Sequence, residues 1–172
     1  CTTHMNITGN VLHKDDLTDE PLLGNVGGLI GLNKGTVAAC AAWGDILLEN
    51  PTVYRNNVEL SLGGFVGSNK GGLICGSYAR GNVEMFVDNT QSIINCNAGG
   101  FLGALMKGTT SSGSTVISCY SAGNVTLDLG YAGGFVGSNS CYNTAMQYCC
   151  SKGVVDSHSR SGSFLLLTGN EA

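Results

Sequence analysis

Apolar and polar residues alternate along this chain in short runs that return at a fixed interval. After Gly81-Asn82, the residues Val83, Met85 and Val87 fall on one side of a two-residue period, with Glu84 and Phe86 on the other. Val125, Leu127 and Leu129 repeat the pattern, with Thr126 and Asp128 between them. A period of two marks a strand with one buried face. No long 3.6-residue period competes with it, because glycines interrupt every candidate helix. The alternation predicts an all-β chain.

Two phrases keep these strands in step. The first is Gly27-Gly28-Leu29-Ile30-Gly31, then Gly63-Gly64-Phe65-Val66-Gly67, Gly99-Gly100-Phe101-Leu102-Gly103 and Gly133-Gly134-Phe135-Val136-Gly137, at intervals of 36, 36 and 34 residues. The second is Gly9-Asn10-Val11, Gly44-Asp45-Ile46, Gly81-Asn82-Val83, Gly123-Asn124-Val125 and, more loosely, Gly153-Val154-Val155. Four residues before its glycine stand Met5, Cys40, Ser77, Cys119 and Cys149. Asn33-Lys34-Gly35 and Asn69-Lys70-Gly71 occupy equivalent places and suit tight corners, since Asn and Gly tolerate a positive φ. The third unit carries extra residues between Ala104 and Thr115.

A repeat of this length is one supersecondary unit that buries its apolar face against its neighbours. The expected fold is a β-solenoid, parallel β-helix-like, of about four to five stacked coils. The competing fold is a sandwich or prism of hairpins; the in-step phrases favour the solenoid. The chain divides into a partial repeat at 1–26, repeats at about 27–62, 63–98, 99–132 and 133–161, and a degenerate cap at 162–172 built on Gly162-Ser163-Phe164-Leu165-Leu166. At strand spacing of about 4.8 Å the column would stand roughly 20–25 Å tall. Gly-Gly before Phe or Leu would let a corner turn tightly and let backbones approach closely. Asn10, Asp45, Asn82 and Asn124 would form a ladder of side chains hydrogen-bonded along the stack.

The phrase Gly63 to Gly71, followed by Ser77-Tyr78-Ala79-Arg80-Gly81-Asn82-Val83, resembles the GLUG repeat of bacterial surface proteins, as do Gly27 to Ile46, Gly99 to Val125 and Gly133 to Val155. The resemblance implies a large secreted or surface-anchored parent, of the kind that includes adhesins and immunoglobulin A peptidases. It implies no catalytic residue, because none belongs to the repeat.

Composition narrows the function classes. Charged residues are only 12%, with net charge −4, and the eight basic residues are spread singly, which argues against a phosphate-binding stripe and a nucleic-acid partner. The apolar stretches are far too short for a membrane-spanning helix, so no membrane insertion is expected. The chain lacks a signal peptide and an initiating Met, and is read as a segment excised from a longer protein with flanking domains.

Eight cysteines are the loudest candidates for chemistry. The column Cys40, Cys119 and Cys149, with Ser77 in the remaining full copy, reads as structural packing by small residues, since a free Cys behaves as a small buried hydrophobe. An even number of cysteines in a secreted chain also leaves disulfides open, with Cys96 and Cys141 in turns and Cys141 facing Cys149 or Cys150. A zinc site from Cys141, Cys149, Cys150 and His158 matches no familiar spacing, and adjacent cysteines on a strand point oppositely; no metal and no cofactor are expected. His13 falls where Leu48, Met85 and Leu127 stand in other copies. Asp15, Asp16, Asp19 and Glu20 read as a solvated loop, with a weak calcium site as the alternative. The stretch Glu49 to Glu59 reads as a loop whose Tyr54 and Arg55 are the candidate partner-binding pair, against a plain connector. Neither Gly-x-Ser-x-Gly nor His-Glu-x-x-His occurs.

The expected function is a non-catalytic extracellular or cell-surface segment, a stalk or ligand-presenting surface of a bacterial adhesin. Its partner would be a host or neighbouring-cell surface protein or glycan. The alternative is a substrate-gripping accessory domain of a secreted metallopeptidase.

Overall fold

The computed structural model describes residues 1–9, 22–49, 58–86, 94–108, 113–141, 143–158, 160–162 and 164–167. Five strands recur in each of the first four turns of the chain, and four in the last among the described residues. The first coil holds β1 (Thr2–Thr3), β2 (Ile7–Gly9), β3 (Leu22–Gly27), β4 (Ile30–Asn33) and β5 (Thr36–Ala38). The second holds β6 (Ala41–Ala42), β7 (Ile46–Glu49), β8 (Val58–Gly63), β9 (Val66–Lys70) and β10 (Leu73–Cys75). The third holds β11 (Tyr78–Ala79), β12 (Val83–Phe86), β13 (Ile94–Gly99), β14 (Leu102–Met106) and β15 (Thr115–Ile117). The fourth holds β16 (Tyr120–Ser121), β17 (Val125–Leu127), β18 (Tyr131–Gly133), β19 (Val136–Asn139) and β20 (Ala145–Gln147). The last holds β21 (Cys150–Ser151), β22 (Val155–Ser157), β23 (Arg160–Gly162) and β24 (Leu165–Leu167).

Each strand pairs in parallel with its counterpart one coil away, giving five sheets. Sheets I, II, III and IV begin with β1, β2, β3 and β4 and have five strands each; sheet V begins with β5 and has four. Tyr78 lies between Ala41 and Tyr120, Val83 between Ile46 and Val125, and Gly99 between Gly63 and Gly133. The chain is a β-solenoid. Among the described residues there is no helix, and so none long and apolar enough to cross a membrane.

The cross-section has two cores. Side chains of sheets II and III form one: Ile46, Leu48, Val83, Met85, Val125 and Leu127 against Leu60, Leu62, Cys96, Ala98 and Ala132. Sheets IV, V and I form the other around Phe65, Phe101 and Phe135, with Ile74, Val116, Ala42 and Ala79. Sheets III and IV meet between the two cores, and the repeated glycine phrase makes that meeting possible. A Cβ on Gly103 would lie 2.5 Å from the Gly67 carbonyl oxygen and 2.6 Å from the Leu62 nitrogen. One on Gly67 or Gly137 would lie 2.7 or 2.6 Å from the nitrogen of Val26 or Ala98. The last glycine of the phrase therefore sets sheet IV against sheet III. The second serves the stack: a Cβ on Gly28, Gly64 or Gly100 would strike the carbonyl oxygen of the equivalent glycine in the next coil.

Within the second core the phenylalanines form a ladder. Phe65, Phe101, Phe135 and Phe164 stack at 4.7, 4.9 and 5.0 Å between ring centroids, with planes within 9° of parallel. That spacing is the inter-strand distance, so the coil rise itself brings the rings into offset stacking.

The structure moves the register of the first coil. Ile7, and not Val11, faces Ile46, and Gly9 faces Leu48. Asn6 therefore takes the ladder place expected of Asn10, Gly9 takes the place expected of His13, and Cys1 replaces Met5 in the cysteine column. Asn10 and His13 themselves lie outside the described residues, as do Tyr54, Arg55, Asp15, Asp16, Asp19 and Glu20. Two further boundaries change. Glu49, Val58 and Glu59 are strand residues and not part of the loop expected of the second unit, and residues 50–57 lie outside the described residues. In the third unit Ala104 to Met106 continue β14, so the extra residues fall between 107 and 114.

Candidate functional site

Asn6, Asp45, Asn82 and Asn124 form a column of polar side chains that bond to backbone N–H groups and not to one another. Asn6 Oδ1 accepts the Asp45 backbone N–H at 3.0 Å, and Asp45 Oδ1 accepts that of Asn82 at 2.7 Å. Asn82 Oδ1 accepts from Asn124 at 3.0 Å, and Asn124 Oδ1 from Val154 at 2.9 Å. Each side chain thus caps the backbone of the following coil at the corner between sheets I and II, where coil-to-coil backbone bonds such as Ile7 N–H to the Asp45 carbonyl continue. Asp serves as well as Asn because only an acceptor oxygen is required. An amide-to-amide bond does occur elsewhere, from buried Asn33 Nδ2 to Asn69 Oδ1 at 2.9 Å.

The cysteine column has a bonding role beyond filling space. At each of these corners the preceding residue is left-handed: Ala39 (φ 52), Gly76 (φ 55), Ser118 (φ 53) and Tyr148 (φ 55). The next side chain reaches back across the corner to the carbonyl two residues earlier. Cys40 Sγ donates to Ala38 at 3.2 Å, Ser77 Oγ to Cys75 at 3.0 Å, Cys119 Sγ to Ile117 at 3.2 Å and Cys149 Sγ to Gln147 at 3.3 Å. One heavy-atom donor on Cβ satisfies the geometry, which explains why Cys and Ser interchange and why Met does not belong.

All eight thiols are free. Cys96 is no turn residue: it lies on β13, fully buried in the first core, and burial pushes its thiol far up. A bond with Cys149 and burial push Cys119 up in the same direction. Its neighbour Cys149 is held down at about 7, chiefly by its side-chain bond with Cys119. Cys141 lies in the turn after β19. Burial opposes its ionisation, but bonds from the Ser114 backbone, Thr144 and the Asn143 backbone, with the Lys107 charge, hold its thiol below the ordinary value. Among the described residues no three His, Cys, Asp or Glu side chains gather as a metal site.

The surface feature with the most chemistry is the outward face of sheet I and the corner that follows it. His4, Trp43, Arg80, Ala122 and Lys152 occupy one column there, as the register of β1, β6, β11, β16 and β21 places them. His4 stacks on the Trp43 indole at 5.6 Å with planes 10° apart, and the Arg80 guanidinium lies 4.5 Å from the indole centroid. Tyr78 meets Trp43 edge-on at 5.6 Å and has Arg80 5.8 Å from its own ring centroid. Tyr120 stands beside Tyr78 one coil on. This is a second aromatic stack, heterotypic and on the outside, ending where Ala122 offers no ring.

Charge is sorted around the column. The described carboxylates Asp45, Glu49, Glu59, Glu84, Asp128 and Asp156 all lie on sheets II and III or the corners flanking sheet II. Of the described cations, Arg80 and Lys152 lie at the corner between sheets I and II, which Asp45 shares, Lys34 and Lys107 follow sheet IV, and Lys70 ends β9 within it; only Arg160 of these, on β23, belongs to a carboxylate-bearing sheet. The contact of His158 Nδ1 with Asp128 Oδ1 at 3.4 Å follows sheet II and leaves Arg80 and Lys152 uninvolved. Sequence reading missed this face because its members occur once each, one per repeat. Their common offset, three residues after each member of the corrected cysteine column, was the available signal.

No family model, no curated protein and no solved structure matches this chain.

Proposed function

We propose that this chain is a non-catalytic stalk or ligand-presenting segment of a bacterial surface protein. The observation that carries the reading is the parallel, coil-to-coil pairing of all five sheets, in register except for one shift between β19 and β24. Such a column grows linearly by one strand spacing per repeat, each repeat supporting only its neighbours. It supports stiffness along one axis and a flat outer wall on which side chains sit at fixed intervals. The resemblance of its glycine phrases to the GLUG repeat supports a surface or secreted parent of adhesin type.

Peptide sequencing of intact, surface-shaved cells tests the reading. Recovery of this chain's peptides within a polypeptide that also carries a wall anchor or a binding module is the expected result. Recovery only from the cytoplasmic fraction would overturn it. Recovery within a secreted polypeptide bearing His-Glu-x-x-His would replace the stalk with the substrate-gripping arm of a metallopeptidase.

A further inference from the structure

We infer that the outer face of sheet I, with the corner leading to sheet II, binds an acidic saccharide chain laid along the solenoid axis. The inference rests on the ligand-presenting reading above and names the class of ligand. Four observations carry it.

The first is a guanidinium held in place without a counter-ion. Arg80 is exposed, lies over the Trp43 ring with Tyr78 beside it, and enters no ion pair among the described residues. Stacking removes much of its rotamer freedom, so less is lost when its N–H donors meet an anion. The second is a second cation in the same column. Lys152 lies two coils from Arg80, roughly 10 Å at the strand spacing, with the small Ala122 between them. Two cations bracketing a low floor suit an anion that repeats along a polymer.

The third is the polarity of the surrounding groups. Asn82 and Asn124 spend Oδ1 on the ladder, and their Nδ2 donors, without a partner among the described residues, suit an acceptor-rich ligand. The half-buried rings of Tyr78 and Tyr120 line the other side of the column, and aromatic rings offer apolar faces to sugar C–H groups. Carboxylates bound the face on two sides: Asp45 on the corner one coil before Asn82, and Glu84 and Asp156 on sheet II. They confine an anion to the Arg80–Lys152 column. The fourth is the sheet itself. β11 and β16 are each paired on both sides, so their backbones are closed to an added peptide strand, and side chains alone do the recognising.

Affinity electrophoresis of the chain in gels cast with polygalacturonate tests this, with dextran gels as the neutral reference. Polygalacturonate should retard the chain, dextran should not, and added salt should weaken the retardation by screening. Arg80→Ala with Lys152→Glu should weaken binding about tenfold or more, as loss of charge-assisted bonds predicts. Lys34→Ala with Lys70→Ala, at a different corner, should leave it unchanged. Lys152→Glu alone alters an exposed side chain and should still weaken binding, so a folding defect at Arg80 cannot hide the answer.

Equal retardation in dextran would overturn the inference, as would equal loss in the Lys34 and Lys70 variant. Competition by polyglutamate at matching potency would assign the face to an acidic protein and also overturn it. Absence of retardation would overturn it while leaving the stalk untouched, because that reading stands or falls on where the chain is recovered.

Discussion

The inner and outer aromatic stacks obey the same coil rise and yet differ in almost everything else. Inside, Phe65, Phe101, Phe135 and Phe164 repeat one residue without a break. Outside, His4, Trp43 and Arg80 use three residue types and stop at Ala122. The solenoid fixes where successive side chains sit; burial decides whether they must match. A void in the core loses contacts on every side, whereas a missing rung on the wall is filled by water. Uniformity is thus the mark of packing, and variation on a regular frame is where recognition can be written.

The contrast breaks most sharply at the glycine that lets sheets III and IV meet. Gly103→Val puts a Cβ against the Gly67 and Leu62 main chains, and backbone cannot yield as a side-chain tip can. Loss of about 4 kcal/mol or more is expected, read as poor soluble yield or as an early urea midpoint. Phe101→Ala should come next, at about 3–5 kcal/mol for a buried ring with neighbours above and below. Trp43→Ala on the wall should lose about 1 kcal/mol, the worth of partly exposed stacking and cation–π contact. Equal losses at Phe101 and Trp43 in urea titrations would erase the distinction between core and wall.

One interior position sharpens the comparison from the other direction. Ser68 is buried in sheet IV and its hydroxyl has no hydrogen-bond partner, while Ala104 holds the same column one coil away. An unsatisfied buried hydroxyl costs about 1–3 kcal/mol. Ser68→Ala should therefore leave the fold unchanged and stabilise it by about 1 kcal/mol. A destabilised variant in the same urea titration would mean that the hydroxyl is bonded in solution.

How much of this could be seen in the sequence follows from the same division. The repeated Gly-Gly phrase and the period-two tails led to an all-β solenoid because they report backbone spacing and burial, which every coil must share. The phrase Gly9-Asn10-Val11 mimics the recurring phrase and places the first coil four residues away from its true register. A shift of four keeps every inward residue inward, so hydrophobic alternation could not detect it. What separates the registers is polar: the Asn6 bond to Asp45 and the His4 stack on Trp43. The two-core cross-section was also hidden, since sheets III and IV bury polar residues such as Ser61, Asn69 and Asn97 that read as surface. The sheet I face escaped for the opposite reason: its residues do not repeat, and only the true register lines them up.

The smallest effect concerns two members of one column on either side of the boundary between core and edge. Cys119 is buried and its thiol is pushed up; Cys149, one coil on and half-buried, is held at about 7 by the bond with Cys119. Iodoacetamide should therefore modify Cys149 with a rate that rises through pH 7, and Cys119 should stay unmodified in the folded chain. Cys119→Ala removes that bonded thiol and should move the midpoint up toward the ordinary thiol value, about 8.5. The linkage has a definite sign. The folded pKa of Cys149 lies below that of an unfolded thiol, about 8.5, so ionisation favours the fold above that value, and the contribution is lost as pH falls through about 7. A midpoint that ignores the Cys119 substitution would show that the two thiols act separately. A midpoint that follows it would establish that even this edge position takes its chemistry from the coil beside it.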